Sequence, residues 1–194
     1  MGSSRTDDIV SAMSEVRRER FEAVVRLVGE PLRQYAARRV NAASAEDVVA
    51  DAFLVIWRRL DDVPQGGELP WCYAVARNCL ANAERSTRRR NGLLTRLARM
   101  DPPQPIEDVA LELPDAALHD ALALLSADDR ELLRLWAWED LQPAEIAVTL
   151  DTTPNAVSIR LHRARKRLGE LLEADTGKPS SGSGQKQVPE RSGP

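Results

Sequence analysis

The chain has 194 residues, of which 43% are apolar, 29% are charged and only 4% are aromatic, with a formal net charge of −3. This length allows one ordinary domain or two small ones, and the Ala-, Leu- and Arg-rich composition favours helices. Since the sequence has no apolar run of about 18 residues and no secretory signal pattern, a cytoplasmic protein without direct membrane insertion is expected.

Five segments follow from composition along the chain. Residues 1–14 are polar and predicted to be disordered, residues 15–92 form a first helical domain, and residues 93–114 form a linker that contains "MDPPQPIED". Residues 115–174 form a second helical domain, and the Gly-, Ser- and Pro-rich residues 175–194 are predicted to be a disordered tail. The predicted fold is therefore all-α, with two small helical domains joined by a flexible linker.

Charge is distributed unevenly between these segments. Basic residues cluster at 85–99 and again at 160–167, and an acidic stretch at 107–131 lies between them. Two separate basic patches indicate two contacts with a polyanion, despite the negative net charge.

The first domain contains a helix predicted from Ala45 to Leu60, with Ser44 of "SAED" as its N-cap. Its apolar face comprises Val49, Ala52, Phe53, Ile56 and Leu60. A second stripe at i, i+4, i+7 and i+11 comprises Asp47, Asp51, Leu54 and Arg58. Two acids, a leucine and an arginine in line indicate a protein-docking surface, although an ordinary amphipathic helix would account for the same pattern.

The next segment, "LPWCYAVARNCLANAERSTRRR", combines aromatic side chains, an amide and an arginine run. Stacking groups and phosphate partners in this mixture suit unstacked single-stranded bases, although core packing would also explain the aromatics. The candidate residues are Trp71, Asn78, Arg85, Arg88 and Arg89. Cys72 and Cys79 are expected to pack as small apolar groups, and two scattered histidines predict no metal site.

In the second domain, helices are predicted at Ala116–Leu125, Ala127–Trp138, Pro143–Leu150 and Pro154–Leu172. A three-residue turn, "DTT", separates the last two, and Thr153 is expected to cap the final helix. That helix has a core stripe of Val157, Leu161, Ala164 and Leu168, and an opposite face of Asn155, Ser158, Ile159, His162, Arg163 and Lys166. This pattern predicts a helix-turn-helix that reads DNA, with a solvated basic helix as the alternative.

Three segments taken in order resemble the extracytoplasmic-function (ECF) sigma factors of the sigma-70 family. These are "AEDVVADAFLVIWRRLDD", "PWCYAVARNCLANAERSTRRR" and, after the linker, "ALALLSADDRELLRLWAWEDLQPAEIAVTLDTTPNAVSIRLHRARKRL". The resemblance covers about residues 21–172. It departs from the family at Val63, where an aromatic is frequent, at Gln142, where serine is usual, and at Trp136 and Trp138.

The resemblance implies a region 2 domain and a region 4 domain that bind the clamp and flap of core RNA polymerase and read promoter DNA. The stripe of Asp47, Asp51, Leu54 and Arg58 corresponds to the polymerase-docking helix. Val63, Gln65 and Asn78 correspond to the pocket for a melted minus-ten base, and the outward face of the last helix corresponds to minus-thirty-five contacts. An anti-sigma factor that holds the protein inactive is also implied.

Two other classes of function fit parts of the same pattern. A free-standing helix-turn-helix regulator would bind a two-fold symmetric site as a dimer, and an interaction protein would bind a partner without reading DNA. An enzyme is the least expected class, because the sequence has no recognisable catalytic constellation. No cofactor and no small-molecule substrate are expected.

Overall fold

The computed structural model describes residues 3–97 and 116–176, and every regular element within these ranges is helical. The predicted all-α class is confirmed. The elements are α1 (Ser3–Ala37), α2 (Ala42–Arg58), a 3-10 turn (Leu60–Asp62), α3 (Glu68–Leu97), α4 (Ala116–Ala123), α5 (Ala127–Ala137), α6 (Pro143–Thr149) and α7 (Pro154–Thr176). Within the same two ranges, no helix is long and apolar enough to cross a membrane.

The first half of the fold is a bundle of α1, α2 and α3. Each helix contributes one apolar stripe to a shared core, in which Val28, Leu32 and Ile56 are completely buried. The predicted apolar face of α2 is confirmed for Val49, Ala52, Ile56 and Leu60, while Phe53 is half-buried. Burial of such stripes stabilises a helix bundle far more than intrinsic helix propensity does.

The structure differs from the expected boundaries at the start of α1, at the start of α2, and at the ends of α3 and α7. Helix α7 continues to Thr176, four residues beyond the predicted Leu172 and into the predicted tail. Helix α1 already begins at Ser3, although residues 1–14 were expected to be disordered, and Arg18 bonds to Glu15 and Glu22 on its exposed side. The predicted cap at Ser44 is wrong, because Asn41 Oδ1 accepts the Ser44 N–H at 2.9 Å and starts α2 three residues earlier. Helix α3 continues to Leu97, so the first residues of the predicted linker are helical.

The rest of the linker and the tail after Thr176 lie outside the described residues.

The second half consists of α4 to α7, packed around Leu132, Leu135 and Ile146, which are completely buried. Side chains start its helices. Ser126 Oγ accepts the Asp129 N–H at 3.1 Å, and Gln142 and Glu145 form a reciprocal capping box. Such caps satisfy backbone donors that have no partner inside the helix.

The predicted helix-turn-helix is present as α6, a short turn and α7. The Thr152 N–H bonds to the Ala147 carbonyl at 2.9 Å, while Asp151 adopts a left-handed backbone with φ of 51°. This is a Schellman turn with aspartate in the position that glycine usually occupies. Thr153 Oγ1 then accepts the Ala156 N–H at 3.2 Å, as predicted, so α7 begins in a fixed direction.

We predict that the left-handed backbone at Asp151 makes this position sensitive to side-chain branching. Asp151→Gly should leave the melting temperature unchanged or raise it, because glycine adopts positive φ freely. Asp151→Val should lower the free energy of unfolding by about 1–2 kcal/mol, because a branched Cβ clashes in this conformation.

Thermal unfolding measures both effects, with Thr152→Val as the control for valine at an ordinary neighbouring position. Equal tolerance of valine at residues 151 and 152 would contradict the prediction.

Candidate nucleic-acid interface

The outward face of α7 is built as the sequence predicts. Its opposite side is pinned in the core by Val157 and Ala164, which are 1% and 3% exposed. The six predicted contact residues are all exposed, namely Asn155, Ser158, Ile159, His162, Arg163 and Lys166. The Ile159 side chain is 44% exposed on this basic face, where it offers an apolar contact of the kind a thymine methyl accepts.

The basic residues of α7 divide into two groups. Arg160 donates to Asp129 at 3.2 Å, and the Arg165 guanidinium lies 4.5 Å from the centre of the Trp136 ring. These two arginines attach α7 to α5. Arg163 and Lys166 instead belong to the exposed outward face, where their charges are available to a polyanion.

A second candidate surface runs along α3. At about 100° per residue, Trp71, Asn78, Arg85 and Arg89 fall on one stripe that extends for about 27 Å of helix. Arg85 is oriented by bonds to the Ala81 carbonyl at 3.1 Å and to Asn82 Oδ1 at 2.8 Å. The stripe therefore carries an aromatic group, an amide and cations in a row.

Arg88, which the sequence groups with this surface, lies away from the stripe and approaches Glu84 at 3.5 Å.

The loop between α2 and α3 lies at the start of this stripe. Gln65 is exposed, but the Val63 side chain is only 3% exposed and packs into the core. The Val63 carbonyl accepts a bond from Arg20 at 2.9 Å, so this residue anchors the loop instead of presenting its side chain. Trp71 is half-buried, and the Arg59 guanidinium lies 5.3 Å from its ring centre.

The predicted docking stripe of α2 is fully outside the core. Its four members are all exposed, namely Asp47, Asp51, Leu54 and Arg58. Leu54 is 53% exposed between acidic and basic neighbours, and burial of this side chain by a partner would be favourable.

A buried ion-pair cluster joins the two halves and was missed in the sequence. The Arg39 guanidinium donates to both oxygens of Glu131, at 3.0 and 3.1 Å, and to Glu139 at 3.0 Å. Arg38 also donates to Glu139, at 3.1 Å, and Tyr35 donates to Glu131 at 2.9 Å. These residues are about 90–100 positions apart, so no local pattern in the sequence reports their contact.

Burial and the neighbouring charges shift the pKa values of Tyr35 and Arg39 in this cluster. Burial raises the pKa of Tyr35 well above its ordinary value, and Glu131 adds to the shift, so the hydroxyl stays a donor. Burial, the largest single influence, lowers the pKa of Arg39, but Glu131, Tyr35 and Glu139 together raise it more, and the net pKa is raised. A further link joins the halves where the Thr149 hydroxyl donates to the Pro70 carbonyl at 3.1 Å.

An apolar cavity of about 350 Å³ opens between α4, α5 and α7. Its lining includes Leu118, Leu133, Trp136, Trp138 and Leu172. The two tryptophans that depart from the family pattern therefore form walls of a cavity. Apolar concavities of this size are typical of binding sites.

Both cysteines pack in the core of the first half. Within the described residues, no group of three potential metal ligands exists. Cys72 and Cys79 are both buried free thiols, as the sequence predicts. Burial raises the pKa of the Cys72 thiol to about 12, with Glu68 adding to the shift, and burial also raises the pKa of Cys79.

We predict that both thiols resist modification in the folded protein. Thiol reagents attack the thiolate, and at pH 8 a pKa of about 12 leaves Cys72 roughly a thousandfold fewer thiolates than an ordinary cysteine has. The rate of reaction with a chromogenic disulfide should be very low in buffer and ordinary for both residues in guanidinium. Fast modification of the native chain would contradict the buried setting.

We also predict that the contact between the halves depends on Glu139, whose side chain is 2% exposed. Glu139→Gln removes one of the two charges that compensate buried Arg39, which should lower the free energy of unfolding by roughly 3 kcal/mol. Glu170→Gln removes an exposed charge on α7 and serves as the control.

Thermal unfolding and small-angle scattering together test this prediction. The Glu139 variant should melt earlier and have a larger radius of gyration, whereas equal values for both variants would contradict it.

The known proteins that are similar to this chain are sigma factors. A family model described as sigma-70, region 4, matches residues 115–168. RNA polymerase sigma factor CnrH of Cupriavidus metallidurans is 30% identical over 192 residues, covering 92% of this chain and 100% of that protein. ECF RNA polymerase sigma factor SigL of Mycobacterium tuberculosis is 33% identical over 144 residues, covering 72% of this chain and 81% of that protein.

Two solved structures are similar in fold and sequence. The sigma factor RpoE of Bartonella quintana, in complex with the anti-sigma factor NepR, has a TM-score of 0.58 at 28% identity, covering 80% of this chain and 98% of that one. CnrH in complex with the cytosolic domain of CnrY has a TM-score of 0.52 at 26% identity, with coverage of 80% and 88%. The region 4 match, the full-length relatives and the two-part helical fold agree, and this chain belongs to the ECF family of RNA polymerase sigma factors.

Proposed function

We propose that this sigma factor binds core RNA polymerase with the exposed stripe of α2 and reads two promoter elements with α3 and α7. The observation that carries the proposal is the coexistence of three stripes on α2, α3 and α7, exposed except for the half-buried Trp71, each opposite a buried face of its helix. A free-standing helix-turn-helix regulator would need only the stripe on α7.

The face of α7 suits duplex DNA in the major groove. Asn155 and Ser158 lie near the helix N-terminus, where recognition helices present side chains to base edges. Arg163 and Lys166 lie one to two turns further on and supply charge for bases or phosphates. We assign this face to the minus-thirty-five element.

The stripe on α3 suits melted DNA. Stacking on Trp71, an amide at Asn78 and cations at Arg85 and Arg89 match the groups that a single strand exposes. The exposed Gln65 lies in the loop just before this stripe, at the position that the family resemblance matches to a melted base. We assign the stripe and this loop to the minus-ten element.

The polymerase contact is assigned to two surfaces. The charged stripe around Leu54 would bind the clamp, and the apolar cavity walled by Trp136 and Trp138 would receive a helix of the flap. In their solved complexes, the similar sigma factor RpoE is bound to the anti-sigma factor NepR, and CnrH is bound to the cytosolic domain of CnrY. We extend this to an anti-sigma factor that covers the α2 stripe here.

Reading both elements at once requires the two halves to separate. The elements lie about 25 base pairs apart, which is about 85 Å along B-DNA. A compact unit of this chain length is only about 40 Å across. The contact between Arg39 and its two carboxylate partners would therefore open when the polymerase and the promoter bind.

We predict that Arg163→Ala and Asp51→Ala fail at different steps of run-off transcription. Arg163→Ala should lower the ratio of transcription with an intact upstream element to transcription with an altered one by about 10-fold. One good base contact gives roughly 1–3 kcal/mol of discrimination. Loss of Asp51 should weaken binding to core polymerase on every template. Transcription from a library of randomised promoters and fluorescence titration with core enzyme measure the two effects.

Matched controls remove the same charges elsewhere. The control for Arg163→Ala is Arg33→Ala, because Arg33 is an exposed arginine on α1. The control for Asp51→Ala is Glu46→Ala, because Glu46 is an exposed acid on α2 outside the stripe. Transcripts that do not depend on core polymerase plus this protein, or equal defects for the variants and their controls, would contradict the assignments.

A further inference from the structure

Two arginines of α1 reach across to the loop that joins α2 to α3. Arg17 donates to Asp61 Oδ2 at 2.6 Å and to the Trp57 carbonyl at 2.9 Å. Arg20, one turn later on the same side of α1, donates to the Val63 carbonyl at 2.9 Å. The start and the middle of the loop are thus both held from a helix that itself carries none of the proposed DNA contacts.

Aromatic packing fixes the orientation of the Arg17 side chain. The Phe21 ring meets the Trp57 ring edge-on, with centroids 5.1 Å apart, and the Arg17 guanidinium lies 5.4 Å from the centre of the Trp57 ring. Arg17 is therefore held between an indole face, a carbonyl and a carboxylate. A guanidinium with several fixed partners loses little further freedom when it orients a loop.

The loop has little freedom apart from these contacts. The Val63 side chain is buried, and the Val63 N–H bonds to the Leu60 carbonyl at 3.3 Å. Gly66 adopts φ of 77°, and a Cβ on Gly67 would lie 3.3 Å from Pro64 Cγ. The exposed Gln65 therefore lies in a tight turn whose first stem is attached to α1.

On its other side, the loop is attached to the stripe on α3. Arg59 donates to Asp62 Oδ2 at 2.8 Å, and the Arg59 guanidinium lies 5.3 Å from the centre of the Trp71 ring. The turn is thus held between α1 and the first aromatic group of that stripe. A shift of the loop would change the distance between Gln65 and Trp71.

We infer that Arg17 and Arg20 are positioning residues for recognition of the minus-ten base, acting through the loop that carries Gln65. This inference rests on the proposed assignment of that loop to the minus-ten element. Arg20 has the more direct role, because its guanidinium donates to the backbone carbonyl of Val63, two residues before Gln65. Base recognition needs the receiving groups in place before the base arrives, since ordering a loose loop on binding costs affinity.

The test is a comparison of discrimination, not of total activity. Holoenzyme is assembled from core polymerase and each full-length variant, and open-complex formation is followed by permanganate reactivity of melted thymines. The templates are one active promoter and its single-base changes across the minus-ten element. We expect Arg20→Ala to lose about tenfold in discrimination at the position that Gln65 meets, the size of effect that one charge-assisted hydrogen bond supplies.

Conservative and matched variants separate positioning from folding. Arg20→Lys keeps one donor for the Val63 carbonyl and should restore much of the discrimination. Arg26→Ala, an exposed arginine on the same helix, should behave as the wild type. If Arg20→Ala lowers activity by the same factor on every template, or Arg20→Lys restores nothing, the positioning role is overturned.

Gln65→Ala distinguishes failure of this inference from failure of the assignment beneath it. If Gln65→Ala loses discrimination while Arg20→Ala retains it, the loop reads the base without help from α1, and only the inference is overturned. If Gln65→Ala and the wild type discriminate equally between the minus-ten templates, the minus-ten assignment of the loop is itself wrong. The inference is then overturned together with that assignment.

Discussion

The arrangement of this sigma factor depends on a single buried cation. Arg39, with a side chain 7% exposed, is neutralised by Glu131 and Glu139, whose side chains are 16% and 2% exposed. Both carboxylates come from the second half of the fold, and the arginine comes from the first. Because an unpaired charge in this position would be strongly unfavourable, the ion pairs hold the halves in one relative orientation. The ion pairs thereby help to set the relative placement of the exposed faces of α3 and α7.

The same contact bears on the separation of the halves that we propose for promoter binding. A buried salt bridge stabilises little in net terms, because desolvation offsets most of the attraction between its charges. When water returns to the interface, each ion regains its hydration. The ion pairs therefore add little to the free-energy cost of separating the halves, and binding of polymerase and DNA would supply that cost.

Local features of this fold could be predicted from the sequence, and contacts over long distances could not. Periodicity located the buried and exposed faces of α2 and α7, and turn chemistry located the cap at Thr153. Periodicity did not distinguish Asn41 from Ser44 as the start of α2, because both residues are good caps. It also did not reveal that Val63 is buried, since its environment comes from tertiary packing around a non-periodic loop. Residue-level roles in binding remain predictions.

The role of each helix follows from the face that it buries. Helix α1 buries an apolar stripe and holds the loop after α2 through Arg17 and Arg20. Arg38 and Arg39, which directly follow its last residue, hold the second half. Helices α2, α3 and α7 each bury one face and leave the other exposed to solvent. The exposed stripes differ in chemistry, which fits three different partners: a protein, melted DNA and duplex DNA.

The distance between the two halves is the measurement that tests this account most directly. A donor at Ser86 on α3 and an acceptor at Glu170 on α7 would occupy exposed positions outside the proposed contact surfaces. Energy transfer between them should be high and uniform in the free protein, and should fall sharply in holoenzyme bound to a promoter. Equal transfer in the two states would contradict the account, because one closed unit cannot span both elements.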